Sequence, residues 1–239
     1  MIARVLRGGA CTETGEIVTR SAPGWSLALS KGLESPARKV DPNEDACGVV
    51  AGGIGAVAVV ADAHYGRMSA EVSVDHLLGV ALQEPPPRAL SAPVIWEWLR
   101  EHLSGANAQV RARQSTSACA ILAVVVQGRS AWWASIGDCR LYRIRGTDST
   151  VCNPLRGTYL GDRGLVEPEV GQLSLEAGDR LVLASDGLPE CRYGQETLSP
   201  SDVAAAIAGC SGEAAARALV TAALDGGGED NIAVIVGEM

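Results

Sequence analysis

Three aspartates, Asp62, Asp186 and Asp230, lie far apart in the chain but share a local setting. Each stands at one end of a short apolar run: Gly55 to Asp62 (GAVAVVAD), Arg180 to Asp186 (RLVLASD) and Asp230 to Val236 (DNIAVIV). Such β-branched runs read as buried strands. A single strand-end aspartate is usually a turn residue or a helix cap. Three of them form a chemical constellation if those strand ends share one rim of a sheet. Carboxylates held side by side raise one another's pKa and call for a counter-charge. A divalent cation supplies it, and an all-oxygen donor set points to Mg²⁺ or Mn²⁺ rather than zinc. Asn43-Glu44-Asp45 and Asp138, the latter in a Gly-Asp turn, add further acids that are weak signals alone.

The elements that must position these acids follow from patterning. Ala131 to Ile136 and Cys139 to Arg145 flank Gly137-Asp138, a two-residue break that reads as a hairpin turn. Ser117 to Val126 leads into that pair, so the middle of the chain reads as an antiparallel meander. Trp25 to Gly32 and Ala46 to Val50 are further strand candidates. Helical patterns span about Ser69 to Leu82 and Pro93 to Arg113, divided by the Pro-rich EPPPRALSA. A later block begins with Ser199 as cap, Pro200 in the first helical position and Asp202 in the first turn. Its second helix runs from about Gly212 and ends before Gly226-Gly227-Gly228. Strands separated by paired helices favour α+β layers over a doubly wound parallel sheet. Residues 1–24 are expected to add an edge strand.

Composition bounds the answer. The 239 residues are 47% hydrophobic, enough to bury one large core and to exclude disorder as the main state, and the net charge is −8. Without a basic block the chain lacks the footprint for nucleic acid or an anionic membrane surface. No apolar run approaches the ~20 residues of a membrane span, and the N-terminal stretch lacks a secretory apolar core, so a cytoplasmic location is expected. The seven scattered cysteines, never spaced C-x-x-C, read as reduced thiols. Phe is absent, so the core must be built from Val, Leu, Ile and Ala.

Order along the chain adds what single motifs lack. The segments are NEDA (Asn43 to Ala46), VVADAHYG (Val59 to Gly66), STSA (Ser115 to Ala118) and IGDCRLY (Ile136 to Tyr142). Tyr159 to Val170 (YLG, then VEPEV), Gly178 to Leu188 (GDRLVLASDGL) and Glu229 to Val236 (EDNIAVIV) follow. In this order they resemble the metal-dependent protein phosphatases, the type 2C family of Ser/Thr phosphatases, in a compact bacterial form. The resemblance runs from about Trp25 to residue 239. It implies an α+β fold, a four-layer α-β-β-α sandwich of two antiparallel sheets flanked by helices, as a single domain over residues 1–239. The implied activity is Mg²⁺- or Mn²⁺-dependent hydrolysis of phosphoserine and phosphothreonine proteins by a water activated between two metals. The implied partner is a phosphorylated protein or peptide, met by a monomer.

Carried over residue by residue, the resemblance makes Asp62 the carboxylate that bridges two metals, and Asp186 and Asp230 ligands of one of them. Ala63 stands where the family has a Gly that lends its carbonyl. Asp45 and Glu44 match acids that hold metal-bound waters, and Asp138 matches a ligand of a third, weaker metal. His64 resembles the proton donor to the leaving oxygen, a task suited to an imidazole. His76 and His102 are expected on solvated helix surfaces.

The chain also departs from the family. An Arg that holds substrate phosphate is replaced by Val40, leaving Arg38 and Lys39 as the nearest candidates for phosphate binding. Asp-Gly has become Asp62-Ala63, costly if the backbone there needs a positive φ. The segment from Arg145 to Tyr159 is too short for a substrate flap. Two alternatives therefore stand beside the active enzyme: a pseudophosphatase or phospho-binding regulatory module, and a small-molecule phosphomonoesterase.

Overall fold

Strands that are apolar at nearly every position must be covered on both faces. The computed structural model describes all residues except 36–38, 54, 89–90, 163, 165–166, 191–194 and 196–197. Along the described chain run β1 (Ile2–Arg7), β2 (Val18–Ala22), β3 (Trp25–Ser30), β4 (Ala46–Gly52) and β5 (Gly55–His64). Helices α1 (Met68–Gln83) and α2 (Ala92–Ala112) follow, then β6 (Ala118–Gln127), β7 (Ser130–Ile136) and β8 (Arg140–Arg145). β9 (Asp148–Val151), β10 (Glu169–Ser174) and β11 (Arg180–Ala184) precede α3 (Pro200–Ala206), α4 (Glu213–Asp225) and β12 (Ile232–Glu238). The strands form two six-stranded sheets, in the orders β1-β4-β5-β6-β7-β10 and β2-β3-β12-β11-β8-β9. All their pairings are antiparallel.

Strand alternation sorts the apolar residues into three layers of core. In β5, Val57, Val59, Ala61 and Ala63 pack with α1 and α2, whereas Ala56, Ala58 and Val60 face the other sheet. In β11 and β12, Leu181, Leu183, Ala233 and Ile235 meet them from across the seam. Val182, Ala184, Ile232 and Val234 face outward to α3 and α4. Layers of helix, sheet, sheet and helix result, as the family resemblance implies.

The helix signals act as expected. Ser199 and Asp202 close a reciprocal capping box, with the Ser199 amide donating to Asp202 Oδ2 at 2.9 Å and the Asp202 amide to Ser199 Oγ at 3.3 Å. Three expectations change. Gly137-Asp138 is no hairpin turn: β7 lies between β6 and β10 in one sheet, while β8 lies between β11 and β9 in the other. Gly137, at φ 92°, turns the chain across the seam where a Cβ would strike Ala120, so the same two residues that resemble a tight turn serve a crossover. Residues 1–24 supply two edge strands rather than one, β1 on β4 and β2 on β3. His76 and His102 are half-buried between α1 and α2, with ring centroids 6.3 Å apart and His102 edge-on to Trp98. Apolar helix faces that pack together draw in neighbours which a helical wheel leaves at their margin.

A bidentate ion pair ties β8 to the turn before β11. Arg145 Nε and Nη2 donate to the two Asp179 oxygens, each at 2.7 Å, and the Glu176 amide adds 2.9 Å to Oδ2. The Asp179 side chain is only 1% exposed, and the Arg145 hydrogen bonds hold its carboxyl below the ordinary range. Such charge-assisted bonds contribute about 1.5–3 kcal/mol. Asp179→Ala is expected to lower the unfolding free energy by about 2 kcal/mol at pH 7 in urea titrations. A depressed folded-state pKa means that this contribution is complete above the unfolded value, near ~4, and disappears as pH falls through the folded value. The gap between wild type and variant should therefore narrow below about pH 4; a gap independent of pH would count against the pair.

Candidate functional site

The alternation that builds the core also aims the acids. Asp62 and His64 share the face of β5 that carries Ala58 and Val60, so both side chains point into the seam between the sheets. Asp45 immediately precedes β4, on the parity of Cys47 and Val49, which also face the seam. Ser185 and Asp186 follow β11, and Asp230 and Asn231 precede β12. Because β11 and β12 are neighbours, these two strand ends lie at one rim, opposite the end of β5. Gly187 permits the closeness: a Cβ there would run into the Asn231 carbonyl.

A pocket of about 580 Å³ opens at this rim, and Lys39, Val40, Glu44, Asp62, His64, Asp138, Tyr159, Asp186 and Asp230 are among the residues lining it. The fold thus brings Asp62, Asp186, Asp230, Asp138, Glu44 and His64 together, with Asp45 buried behind them at 1% exposure. Arg38 lies outside the described residues. Ala63 is buried in β5 opposite Cys119, and its φ is not in the positive range. The substitution of Gly by Ala is therefore accommodated: the positive φ values fall two and three residues later, on Tyr65 (62°) and Gly66 (108°).

Burial and mutual repulsion govern the electrostatics. Asp45 is pushed up to about 7, chiefly by burial, although Lys39 and a 2.7 Å bond from Ser185 Oγ oppose the rise. Asp186 is pushed up to about 7 by burial and then by Asp230. Asp62 lies well above the usual carboxylate range, through burial and then Asp186 and Asp45. Tyr159 is raised to about 12, by burial and then Asp138, so it stays a donor. Its hydroxyl reaches Asp138 Oδ2 at 3.4 Å, and its ring meets His64 edge-on at 4.7 Å.

Asn231 and Ser117 act here although the sequence reading left them without a role, and Glu44 does more than that reading gave it. Asn231 Oδ1 accepts from Lys39 Nζ at 2.7 Å and from the Glu44 amide at 2.9 Å, while its Nδ2 donates to the carbonyls of Lys31 and Pro42. Glu44 Oε1 accepts from the amides of Val40, Asp41 and Gly66 at 3.0, 3.1 and 2.9 Å. That carboxylate therefore clasps two loops in addition to facing the pocket. Ser117 Oγ holds the Gly66 carbonyl and accepts from the Ser69 amide. The only signal for these residues was their place inside the ordered motifs.

The donor set suits a hard divalent cation. It is oxygen-only, and Asp45 Oδ1 and Asp138 Oδ1 are buried with no hydrogen-bond partner among the described residues. As the side chains stand, no three His, Cys, Asp or Glu groups among the described residues form a set that could hold an ion. One of these acids, Asp230, is instead ion-paired with the Lys39 ammonium.

Carboxyls raised above an unfolded value near ~3.9 bind more protons in the folded state, so stability falls as pH rises from about 4 to 7. In EDTA, Asp186→Asn is expected to raise the melting temperature at pH 7.5, by about 2–4 °C per kcal/mol of repulsion relieved, and to flatten its dependence on pH across this window. A variant that melts lower than wild type at pH 7.5 would show that the acids are adequately compensated.

Known proteins share this architecture. Residues 69–239 match the family described as Stage II sporulation protein E (SpoIIE). No curated protein matches the chain in sequence. Among solved structures, the PPM Ser-Thr phosphatase MsPP from Mycobacterium smegmatis, in complex with cacodylate, is 23% identical with a TM-score of 0.72, over 92% of this chain and 100% of that one. PppA, a key regulatory component of T6SS in Pseudomonas aeruginosa, is 25% identical with a TM-score of 0.71, over 92% and 97% of the two chains. The catalytic domain of the serine threonine protein phosphatase PstP, in complex with 2 manganese ions, is 22% identical with a TM-score of 0.72, over 93% and 99%. The fold is thus that of the PPM phosphatases, and with the family match spanning most of its length, this chain belongs to the Stage II sporulation protein E (SpoIIE) family.

Proposed function

We propose that the chain is a Mg²⁺- or Mn²⁺-dependent phosphatase acting on phosphoserine or phosphothreonine proteins. The observation that carries this reading is the convergence of Asp62, Asp186 and Asp230 from three distant strand ends into one pocket, beside His64. The manganese in the PstP structure supports the choice of ion class. Asp62, Asp186 and Asp230 would hold two ions with the Ala63 carbonyl, Asp45 and Glu44 would hold associated waters, and Asp138 would serve a third. When bound, the ions supply the charge that activates water and neutralises phosphate in an in-line displacement.

The chain's own groups do the rest. His64 Nε2 is buried with no hydrogen-bond partner among the described residues, free to give a proton to the leaving Ser or Thr oxygen. Tyr159 packs against the ring and limits its rotation. Val40, 71% exposed, offers apolar contact where a guanidinium fork would grip phosphate. Between Arg145 and Tyr159 the chain holds only a β8-β9 hairpin and a short loop, so substrate contacts flanking the phosphate fall to rim residues such as the exposed Tyr65.

The proposal takes residues 1–239 as one domain, since β1 and β2 pair into the same two sheets that β12 completes. No helix among the described residues is long and apolar enough to cross a membrane, and we place the enzyme in the cytoplasm as a monomer. A second reading, a phospho-binding regulatory module of the same fold, is favoured by the lysine that already neutralises Asp230.

Hydrolysis of p-nitrophenyl phosphate separates the two. The enzyme reading expects turnover with Mn²⁺ or Mg²⁺ and none in EDTA, with Asp62→Asn losing at least about a hundredfold while still melting cooperatively. Turnover that survives EDTA dialysis would sink it, and a metal-replete protein without turnover would favour the regulatory module. His64→Gln should slow alkyl phosphates by about 10²–10⁴ and leave p-nitrophenyl phosphate, whose leaving group needs no proton, nearly unaffected. Equal losses on both substrates would make His64 structural.

A further inference from the structure

Lys39 is the residue whose placement the proposed reaction leaves unexplained. Expected at a substrate phosphate, its side chain is instead three-quarters buried against the acids. Its ammonium pairs with Asp230 Oδ1 and donates to Asn231 Oδ1 at 2.7 Å. The same Asp230 oxygen also accepts from the Asn231 amide at 2.7 Å. Neighbouring bonds fix the lysine's start: the next two amides, of Val40 and Asp41, are both clasped by Glu44, whose own amide is held by Asn231. Burial alone would ease the proton off Lys39, but Asp230, Asp45 and Asp62 outweigh it and keep the ammonium charged.

We infer that Lys39 is an internal counter-ion of the acid cluster, one that a divalent cation must displace from Asp230 in order to bind, so that this side chain sets the metal affinity of the site. The inference rests on the metal-binding reading proposed above. Asp230 Oδ1 is already shared by the Lys39 ammonium and the Asn231 amide, and a second cation brought to this carboxylate meets a like charge in a poorly screened pocket. The contact thus opposes two quantities. Removing the ammonium frees Asp230 for the ion, but it leaves the metal-free acids facing one another with less compensation.

The experiment is calorimetric titration of MnCl₂ into EDTA-treated, desalted protein, paired with thermal melting of the same samples in EDTA, for wild type, Lys39→Met, Lys39→Gln and Lys39→Arg. Lys39→Met and Lys39→Gln are expected to bind Mn²⁺ at least tenfold more tightly than wild type and to melt at a lower temperature without metal. Lys39→Arg, which keeps the charge, is expected to stay within about threefold of the wild-type Kd. Cooperatively melting Met and Gln variants with an unchanged or weaker Kd would overturn the inference while leaving the metal site intact. Failure of wild type and all variants to bind Mn²⁺ would overturn the metal reading and the inference with it, whereas binding by the neutral variants alone would establish the competition in its strongest form.

Discussion

Burying carboxylates without matching cations is among the costliest things a folded chain can do. This protein does so at the seam between its sheets, where Asp45, Asp62 and Asp186 are pushed toward protonation by burial and by one another. Everything near the seam can be understood as managing that cost. One ammonium is drawn in from the loop before Asp41, and the Ser185 hydroxyl donates to Asp45. What the management leaves over is a concentrated, oxygen-lined negative potential, the ordinary prerequisite of a site for hard divalent cations.

Such a cluster keeps its shape only if the backbone around it cannot relax. The neutral amides perform that task. Asn231 joins four partners from two segments, Asn43 Nδ2 reaches the Cys11 carbonyl while its Oδ1 takes the Asp45 amide, and Glu44 closes the loop over Gly66. Tyr65 is held with a positive φ between His64 and Gly66, a conformation that persists because the Glu44 and Ser117 bonds to Gly66 over-determine it. The polar residues that matter most after the acids are therefore those that direct most of their hydrogen bonds to backbone.

The apolar frame is equally economical. With no Phe, the cores on either side of the sheets are filled mainly by Val, Ala, Leu and Ile, with a few Trp among them. Because β5 contacts helices on one face and the opposite sheet on the other, its sequence lacks polar alternation until Asp62 breaks the pattern. That break is the position at which core becomes site.

How much of this was legible follows from the range of the forces involved. The sequence by itself determined the buried strands β3 to β8, β11 and β12, since β-branched runs and their acidic ends are local, but not the more exposed β9 and β10 or the second edge strand in residues 1–24; it also determined the helix start at Ser199 and the Pro-rich interruption after α1, since capping and proline geometry are local, and, through the order of its motifs, the family and the four-layer fold. It misled at Gly137-Asp138, because a hairpin turn and a crossover between sheets make the same demand on two residues and differ only in which strand lies next door. The cost anticipated for Ala63 proved absent for a related reason: its φ belongs to the strand and could not be read from its neighbours. Tertiary structure alone decided that Lys39 turns inward to Asp230, that Glu44 clasps three amides, and that Tyr159 stands against His64. Lys39 with Asp230, Glu44 with Gly66 and Tyr159 with His64 are contacts between residues distant in sequence. Charge and hydrogen bonding act over a few ångströms of space, and only the folded sheets fix which groups come within that distance.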